Sequence, residues 1–320
     1  MQTYCTIVNK KYLPFARVLH QSLVLHEPGT RLQVLVIDAE NTEDLSAEAD
    51  NEQPEYHTLN EIIKDPIAAA IRKKYEASNP DHFRWALKPV FICHLLGQGF
   101  SKVIFTDPDV YFIGRHGFLF DLLERHTILL SPHWGNIHPL QDEDGLFSVL
   151  KNGVYSAAFV AAGIKGIAAM KWWAEVCHYK MEQRAELGLY DDQKYLNLVP
   201  LIEPGTGILY HRGCNLASIN IDTCKREIVN GRLLINGSEE PVFIHFTRDT
   251  VTNILNRNDQ LLRPWLDKYA EELGARGLDL CSQFPSVNTD SFRNILYPVR
   301  HRLRLRTRLK RFLFKLAEKL

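Results

Sequence analysis

Three short runs in the first third of the chain are apolar almost without interruption: residues 3–8 (TYCTIV), 32–37 (LQVLVI) and 102–106 (KVIFT). Runs of this length without polar alternation are what strands covered on both faces require. Between the first two, Leu13, Ala16, Val18, Leu19, Leu23 and Leu25 recur at helical spacing. Residues 85–96 carry the same period ahead of the third run and are closed by Gly97. Strand, helix and strand in alternation predict a parallel α/β sheet with helices on its faces. Such sheets hold ligands beyond the carboxyl ends of their strands, and Asn9, Asp38 and Asp107 stand at those ends.

The rest of the chain extends this plan. Residues 41–55 are acidic and polar and read as a surface excursion; 161–184 predict a helix with Trp172 and Trp173 as packing anchors. Residues 203–220 hold three glycines and predict turns around a short strand or two, and 242–246 a further buried strand. With 320 residues there is material for one large domain or two halves sharing a core. No run approaches the roughly 18 apolar residues of a membrane span. The N-terminus has no apolar h-region and reads as a strand instead of a signal peptide. Six scattered cysteines without a C-x-x-C predict neither a disulfide framework nor a cysteine zinc site, and fit a reducing cytoplasm.

Chemistry concentrates in a few places. Residues 102–113 run from a hydrophobic strand through Asp107-Pro108-Asp109 into a second apolar stretch. Alternation along a strand puts residues i and i+2 on one side, so both carboxylates have a common target. Two hard oxygen donors there suit Mg²⁺ or Mn²⁺ holding a diphosphate; a turn with two solvated acids is the other account. His245 lies inside an apolar strand, either as a satisfied core histidine or as a metal ligand beside the carboxylates. Asp191, Asp192 and Gln193 open a helical segment, as an N-cap favoured by the helix dipole or as groups beside a reacting carbon. His133 and His138 flank a Trp-Gly loop, match no metal spacing and read as loop residues. The chain lacks G-x-S-x-G, the Walker loop and a strand-linked G-x-G-x-x-G, the signatures of serine hydrolases, P-loop NTPases and dinucleotide dehydrogenases.

In order along the chain stand residues 4–22, Arg84-Trp-Ala-Leu-Lys88-Pro, Asp107-Pro-Asp109, Ser131-Pro-His-Trp134, Gly153-Val-Tyr155, Trp172-Trp173, Asp192-Gln193, Gly213-Cys-Asn215-Leu-Ala-Ser-Ile-Asn220 and Ile244-His245-Phe246. This succession, from Tyr4 to about Thr247, resembles the GT-A nucleotide-sugar glycosyltransferases, in particular the family-eight-like bacterial enzymes. The resemblance implies a Rossmann-like mixed α/β sheet flanked by helices, in a catalytic domain over 1–275. Its nucleotide-binding half would span 1–113 and its sugar and acceptor half 114–275, followed by a connector over 276–299.

The resemblance also implies roles. Asp107, Asp109 and His245 would hold Mn²⁺ or Mg²⁺ against the diphosphate of a nucleotide-sugar donor, a UDP-sugar foremost. Thr6, Asn9 and Asp38 would line the nucleoside pocket, and Asn215 and Asn220 the sugar or acceptor pocket. Lys88 would face the donor, where the family-eight pattern usually has Arg. Asp192 and Gln193 would flank the anomeric carbon in a retaining transfer; an inverting one would need Asp191 or Asp192 as base. The chain departs from the pattern at Ser156-Ala-Ala-Phe159, where relatives read N-x-G-F after the tyrosine, and at Thr247-Arg248-Asp249. Two alternatives remain: a sugar-nucleotide nucleotidyltransferase, although residues 8–12 lack that class's glycine-rich loop, and an inactive membrane-bound scaffold.

Charge is unevenly spread. Residues 297–320 hold six Arg and three Lys against one Glu, a net +8, while the preceding 296 residues carry −8. Within 300–320, Leu305, Leu309, Phe312, Leu313, Leu316 and Leu320 fall on one helical stripe. A basic amphipathic helix of this kind fits an anionic membrane interface, at about 1 kcal/mol per basic residue; a helix docked on the acidic body, or an RNA-sticky tail, is the other account. The expected setting is cytoplasmic and peripheral on the inner face of the plasma membrane. The expected acceptor is a glycan or lipid-linked precursor of surface polysaccharide or lipopolysaccharide, and no nucleic-acid partner is expected.

Overall fold

The structure, a computed structural model, describes residues 1–42, 45 and 53–280. The basic tail over 300–320, the connector beyond residue 280 and most of the acidic excursion lie outside the described residues. Nine strands concern the site: β1 (Gln2–Val8), β2 (Leu32–Val36), β3 (Glu55–Thr58), β4 (Lys102–Thr106), β5 (Val110–Phe112), β6 (Ile128–Pro132), β7 (Tyr155–Gly163), β8 (Thr206–Ile208) and β9 (Phe243–His245). Seven form the main sheet, in the order β8-β6-β7-β4-β1-β2-β3.

The pairs β1–β2, β1–β4, β2–β3 and β6–β8 are parallel, whereas β7 runs antiparallel to both β4 and β6. The sheet is therefore mixed, as the resemblance implies; β1, β2 and β4, the strands read from strand–helix alternation, run parallel as expected, and β7 is the antiparallel member. The chain leaving β6 stays at that strand's carboxyl end through residues 133–154, and so re-enters the sheet in the opposite direction. The helix expected over 161–184 is corrected. Residues up to Gly163 belong to β7, and the helix is Ile167–Tyr179. Trp173 is fully buried there and Trp172 only partly.

Helices Pro66–Tyr75, Pro80–Gly97 and Ile167–Tyr179 cover one face of the sheet, burying Ile71, Phe83, Leu87, Phe91 and Trp173. On the other face, Leu13–His26 packs Leu19 and Leu23 with Val34, Ile104 and Phe112. Each such side chain contributes about 1.5–3 kcal/mol when fully buried. The helix Pro80–Gly97 starts cleanly because Asn79 accepts from the His82 N–H at 3.0 Å and Pro80 occupies the first turn. A third cluster joins Phe15, Tyr111, Phe246 and Tyr269, seating helices Arg248–Leu255 and Arg263–Gly274.

β9 pairs antiparallel with β5, placing His245 opposite Val110. This two-stranded ribbon is held from behind by Gly213, whose carbonyl accepts from Val242 N (2.8 Å) and Phe243 N (3.3 Å). A Cβ on Gly213 would stand 2.0 Å from the Glu240 carbonyl oxygen, so only glycine fits. Among the described residues, no helix is long and apolar enough to cross a membrane.

Candidate active site

Asp107, Pro108 and Asp109 form the turn between β4 and β5, closed by Val110 N donating to the Asp107 carbonyl at 3.2 Å. The two carboxylates thus converge through a turn and not through alternation along a strand. Backbone bonds fix the turn on both sides: Asp107 N donates to Ala158 O (3.0 Å) and Phe246 N to Asp109 O (2.9 Å). His245 Nε2 lies 3.2 Å from Asp109 Oδ1. One ligand atom from each of Asp107, Asp109 and His245 falls within 4.8 Å of the others. Two carboxylates and one imidazole form a donor set that fits Mn²⁺, or Mg²⁺ with further oxygen ligands. Burial disfavours charge on Asp109 and His245, yet each holds the other ionised: Asp109 titrates below the usual carboxylate range and His245 above that of a free imidazole.

Lys88 projects from the helix Pro80–Gly97 into the same region and is almost fully buried. Its Nζ faces three oxygens: Asp107 Oδ1 at 3.1 Å, Asp192 Oδ2 at 3.2 Å and the Ala157 carbonyl at 3.2 Å. Burial acts to lower its pKa, but Asp107 and Asp192 more than offset this and raise it. Asp192 is buried as well; desolvation pushes its pKa up against the pull of Lys88. Its backbone carbonyl accepts from Trp173 Nε1 at 2.9 Å, anchoring this loop to the core.

Neighbouring Asp191 and Gln193 turn elsewhere. Asp191, in the left-handed region at φ 47°, meets His82 Nε2 at 3.2 Å and accepts from Gln183 Nε2 at 2.7 Å. Gln193 accepts from Ala157 N (3.3 Å) and donates to Asn152 O (3.0 Å). The residues after Asp192 form a 3₁₀ turn, Gln193–Leu198, and the Asp192 side chain makes no cap bond to it. Asp191 and Asp192 are therefore not present as helix caps.

Of the residues expected in the nucleoside pocket, Asn9 caps the turn Lys10–Tyr12 by accepting from Tyr12 N at 3.1 Å, and Asp38 accepts from Lys10 N at 2.8 Å. Thr6 is buried on β1. Asn215 stands at φ 59° and donates to Pro132 O at 3.4 Å, while Asn220 ties this segment together by donating to His133 O (3.1 Å) and Asn215 O (2.8 Å). Trp134 also has a positive φ, 55°, which is strained for so bulky a residue. Buried polar atoms of Thr6, Ser131, His133, Trp134 and Asn215 have no hydrogen-bond partner. Such atoms are uncommon, and ligands or ordered water account for many of them.

Two contributors escaped the sequence. His133, read there as a loop residue, is pushed down to about 4 by burial and then by the neighbouring His245 charge, and it also contacts Gln193. Arg84, one helical turn before Lys88, adds positive potential at Asp109 and stacks 5.5 Å over the Tyr12 ring. Their signal was membership of ordered segments, Arg84-Trp-Ala-Leu-Lys88 and Ser131-Pro-His-Trp134, and not any spacing of their own.

No protein-family model matches the chain. It is 25% identical over 260 residues to the uncharacterized protein YfnD of Bacillus subtilis (strain 168), covering 78% of each protein. Among solved structures it overlaps mouse xyloside xylosyltransferase 1 in its apo form, with a TM-score of 0.49 and 12% identity over 78% of this chain and 99% of that one. It also overlaps galactosyltransferase LgtC, solved with donor and acceptor sugar analogs, with a TM-score of 0.48 and 17% identity over 86% and 96%.

Proposed function

We propose that the chain is a metal-dependent GT-A glycosyltransferase. It would move a sugar from a nucleoside-diphosphate donor, a UDP-sugar foremost, to a glycan or lipid-linked acceptor in surface-polysaccharide or lipopolysaccharide assembly. The observation that carries this is the convergence of Asp107, Asp109 and His245 from one turn and one strand at the carboxyl end of β4, backed by the buried Lys88–Asp192 pair. Asp107, Asp109 and His245 would hold the divalent ion, Mn²⁺ or Mg²⁺, which when bound acts as a Lewis acid on the departing diphosphate.

The chain's own groups do the rest. Lys88 fixes the Asp107 and Asp192 carboxylates relative to one another. Asp192, kept desolvated beside that ammonium, places a preorganised negative charge near an oxocarbenium-like centre, where a fixed charge is most effective. Gln193 is held by the backbone of residues 152 and 157, with its amide beside His133, and would sit on the reacting face of a retaining transfer. Thr6, Asn9, Asp38 and Asn215 would receive the nucleotide and sugar.

The test is thermal stabilisation of wild type and Asp109→Asn by UDP, GDP, CDP and dTDP, each with and without Mn²⁺. A ligand at about 100 times its Kd adds roughly 2.7 kcal/mol. One nucleotide should give a Mn²⁺-dependent shift that Asp109→Asn abolishes. Equal behaviour of the two proteins with every nucleotide would refute the proposal.

A further inference from the structure

A second group of metal-ligating side chains lies on another part of the sheet. His57 sits on the edge strand β3, Glu61 in the short helix Leu59–Ile62 that follows it, and His94 on the helix Pro80–Gly97. One ligand atom of each falls within 4.8 Å of the others. His57 Nε2 is 2.7 Å from Gln33 Oε1, on β2, and its Nδ1 is 2.8 Å from Glu61 Oε2. The other Glu61 oxygen accepts from Thr58 N at 2.8 Å, which fixes the carboxylate. His94 Nε2 is buried without a hydrogen-bond partner. The two imidazoles stand edge to face, 6.0 Å between centroids, against the Phe91 ring.

A His57–Glu61 ion pair with its cap accounts for only part of this. It leaves unexplained why a third ligand nitrogen is buried beside the pair with nothing to bond. With the Gln33 oxygen accepting from His57 Nε2–H, Nδ1 is the ring nitrogen that faces Glu61 and is left to bind a cation once its own proton is lost. A carboxylate or amide behind a ligating histidine is the usual way a metal site fixes its tautomer. Two imidazoles and a carboxylate are the ligands of a borderline first-row cation such as Zn²⁺, and not of Mg²⁺ or Ca²⁺.

We propose that His57, Glu61 and His94 form a transition-metal site of the Zn²⁺ class, separate from the Asp107 cluster, that clips the edge strand β3 to the helix Pro80–Gly97. The cation takes the place of the proton between His57 Nδ1 and Glu61 Oε2, and that proton leaves to solvent. No cysteine takes part, so the site is invisible to any search for cysteine spacing.

The experiment uses the full chain carrying Asp109→Asn, which removes competition from the first cluster. Zn²⁺ binding is measured by calorimetry and Co²⁺ binding by its visible ligand-field absorption. One equivalent of each should bind, with Zn²⁺ displacing Co²⁺. Adding His94→Gln should abolish the Co²⁺ band, and adding Gln33→Leu should weaken Zn²⁺ by about 10- to 100-fold. If His94→Gln lowers the thermal midpoint in chelator, Glu61→Gln replaces it in the comparison. The proposal is overturned if Asp109→Asn binds no transition metal, or if the His94 or Glu61 variant binds it equally well. Nucleotide stabilisation plays no part in these readouts, so they stand or fall apart from the glycosyltransferase assignment.

Discussion

Lys88→Met isolates the electrostatics of the site. Methionine matches the length of the lysine stem, so packing is retained while the ammonium is lost. Lys88 and Asp192 are 3% and 4% exposed, and the charged atoms lie 3.2 Å apart with Asp107 3.1 Å from the same nitrogen. Removing one partner of a buried ion pair strands the other and destabilises by about 3–5 kcal/mol, against roughly 0–1 kcal/mol for an exposed pair. Asp107 is partly solvated, so the stranded charge is that of Asp192.

The sign of the pH dependence follows from Asp192. Its pKa is already raised in the folded protein, by burial first, and losing Lys88 raises it further. Between the unfolded carboxylate value near 4 and this raised value the folded state binds more protons than the unfolded state. Stability therefore falls as pH rises through that window, with a limiting slope of about 1.4 kcal/mol per pH unit. Lys88, whose own pKa is raised, stays charged in wild type throughout this range. Urea unfolding of both proteins in chelator at pH 8, 6.5 and 5 should show the largest deficit for Lys88→Met at pH 8, shrinking on acidification as Asp192 takes up a proton. A deficit below about 1 kcal/mol at pH 8, or one that does not shrink by pH 5, would refute the argument.

Two further substitutions probe how the site is held. Gly213→Ala places a Cβ 2.0 Å from the Glu240 carbonyl oxygen; the β5–β9 ribbon must shift, and a substantial loss of stability should come with a weakened Mn²⁺-dependent nucleotide shift in the same thermal assay. An unchanged melt would show that the ribbon is not seated through this glycine. Trp173→Phe removes the indole N–H that satisfies the Asp192 carbonyl at 2.9 Å, and leaving that buried acceptor unpaired should cost about 1–3 kcal/mol in urea unfolding.

Much of the frame was legible because its signals are local. β1, β2 and β4 read as near-continuous apolar runs since helices cover both faces of the sheet, and Leu13–His26 and Pro80–Gly97 carry regular helical stripes. Residues 161–163, the end of β7, read as helix for a physical reason. The strand's sequence, YSAAFVAAG, is rich in alanine, which favours helix. Its alternation also breaks: Tyr155 and Ala157 face the same core cluster as Val160 and Ala162, with Phe159 and Ala161 on the opposite side. That change of parity falls where the register with β6 shifts between Leu130 and Pro132, and a bulge leaves no mark on a period-two search. The partners of Lys88 were equally out of reach. Asp107 and Asp192 lie 19 and 104 residues away, and only the folded sheet brings all three together.

β7 is also the strand that organises the candidate site. Ala158 O accepts from Asp107 N, Ala157 O faces the Lys88 ammonium and Ala157 N donates to Gln193. Three site residues from three different segments are thus met by the backbone of two consecutive residues of β7, Ala157 and Ala158. Both lie within Ser156-Ala157-Ala158, where the chain departs from the N-x-G pattern of the family it resembles. Backbone N–H and C=O groups are available from any residue but proline, so the departure leaves this frame in place. What it changes is the side chains: the amide is gone and a methyl replaces a glycine hydrogen, beside a carboxylate pair that the same strand still holds in register. On the proposed function, the departure would bear on which donor sugar is accepted, and not on whether the acidic cluster forms.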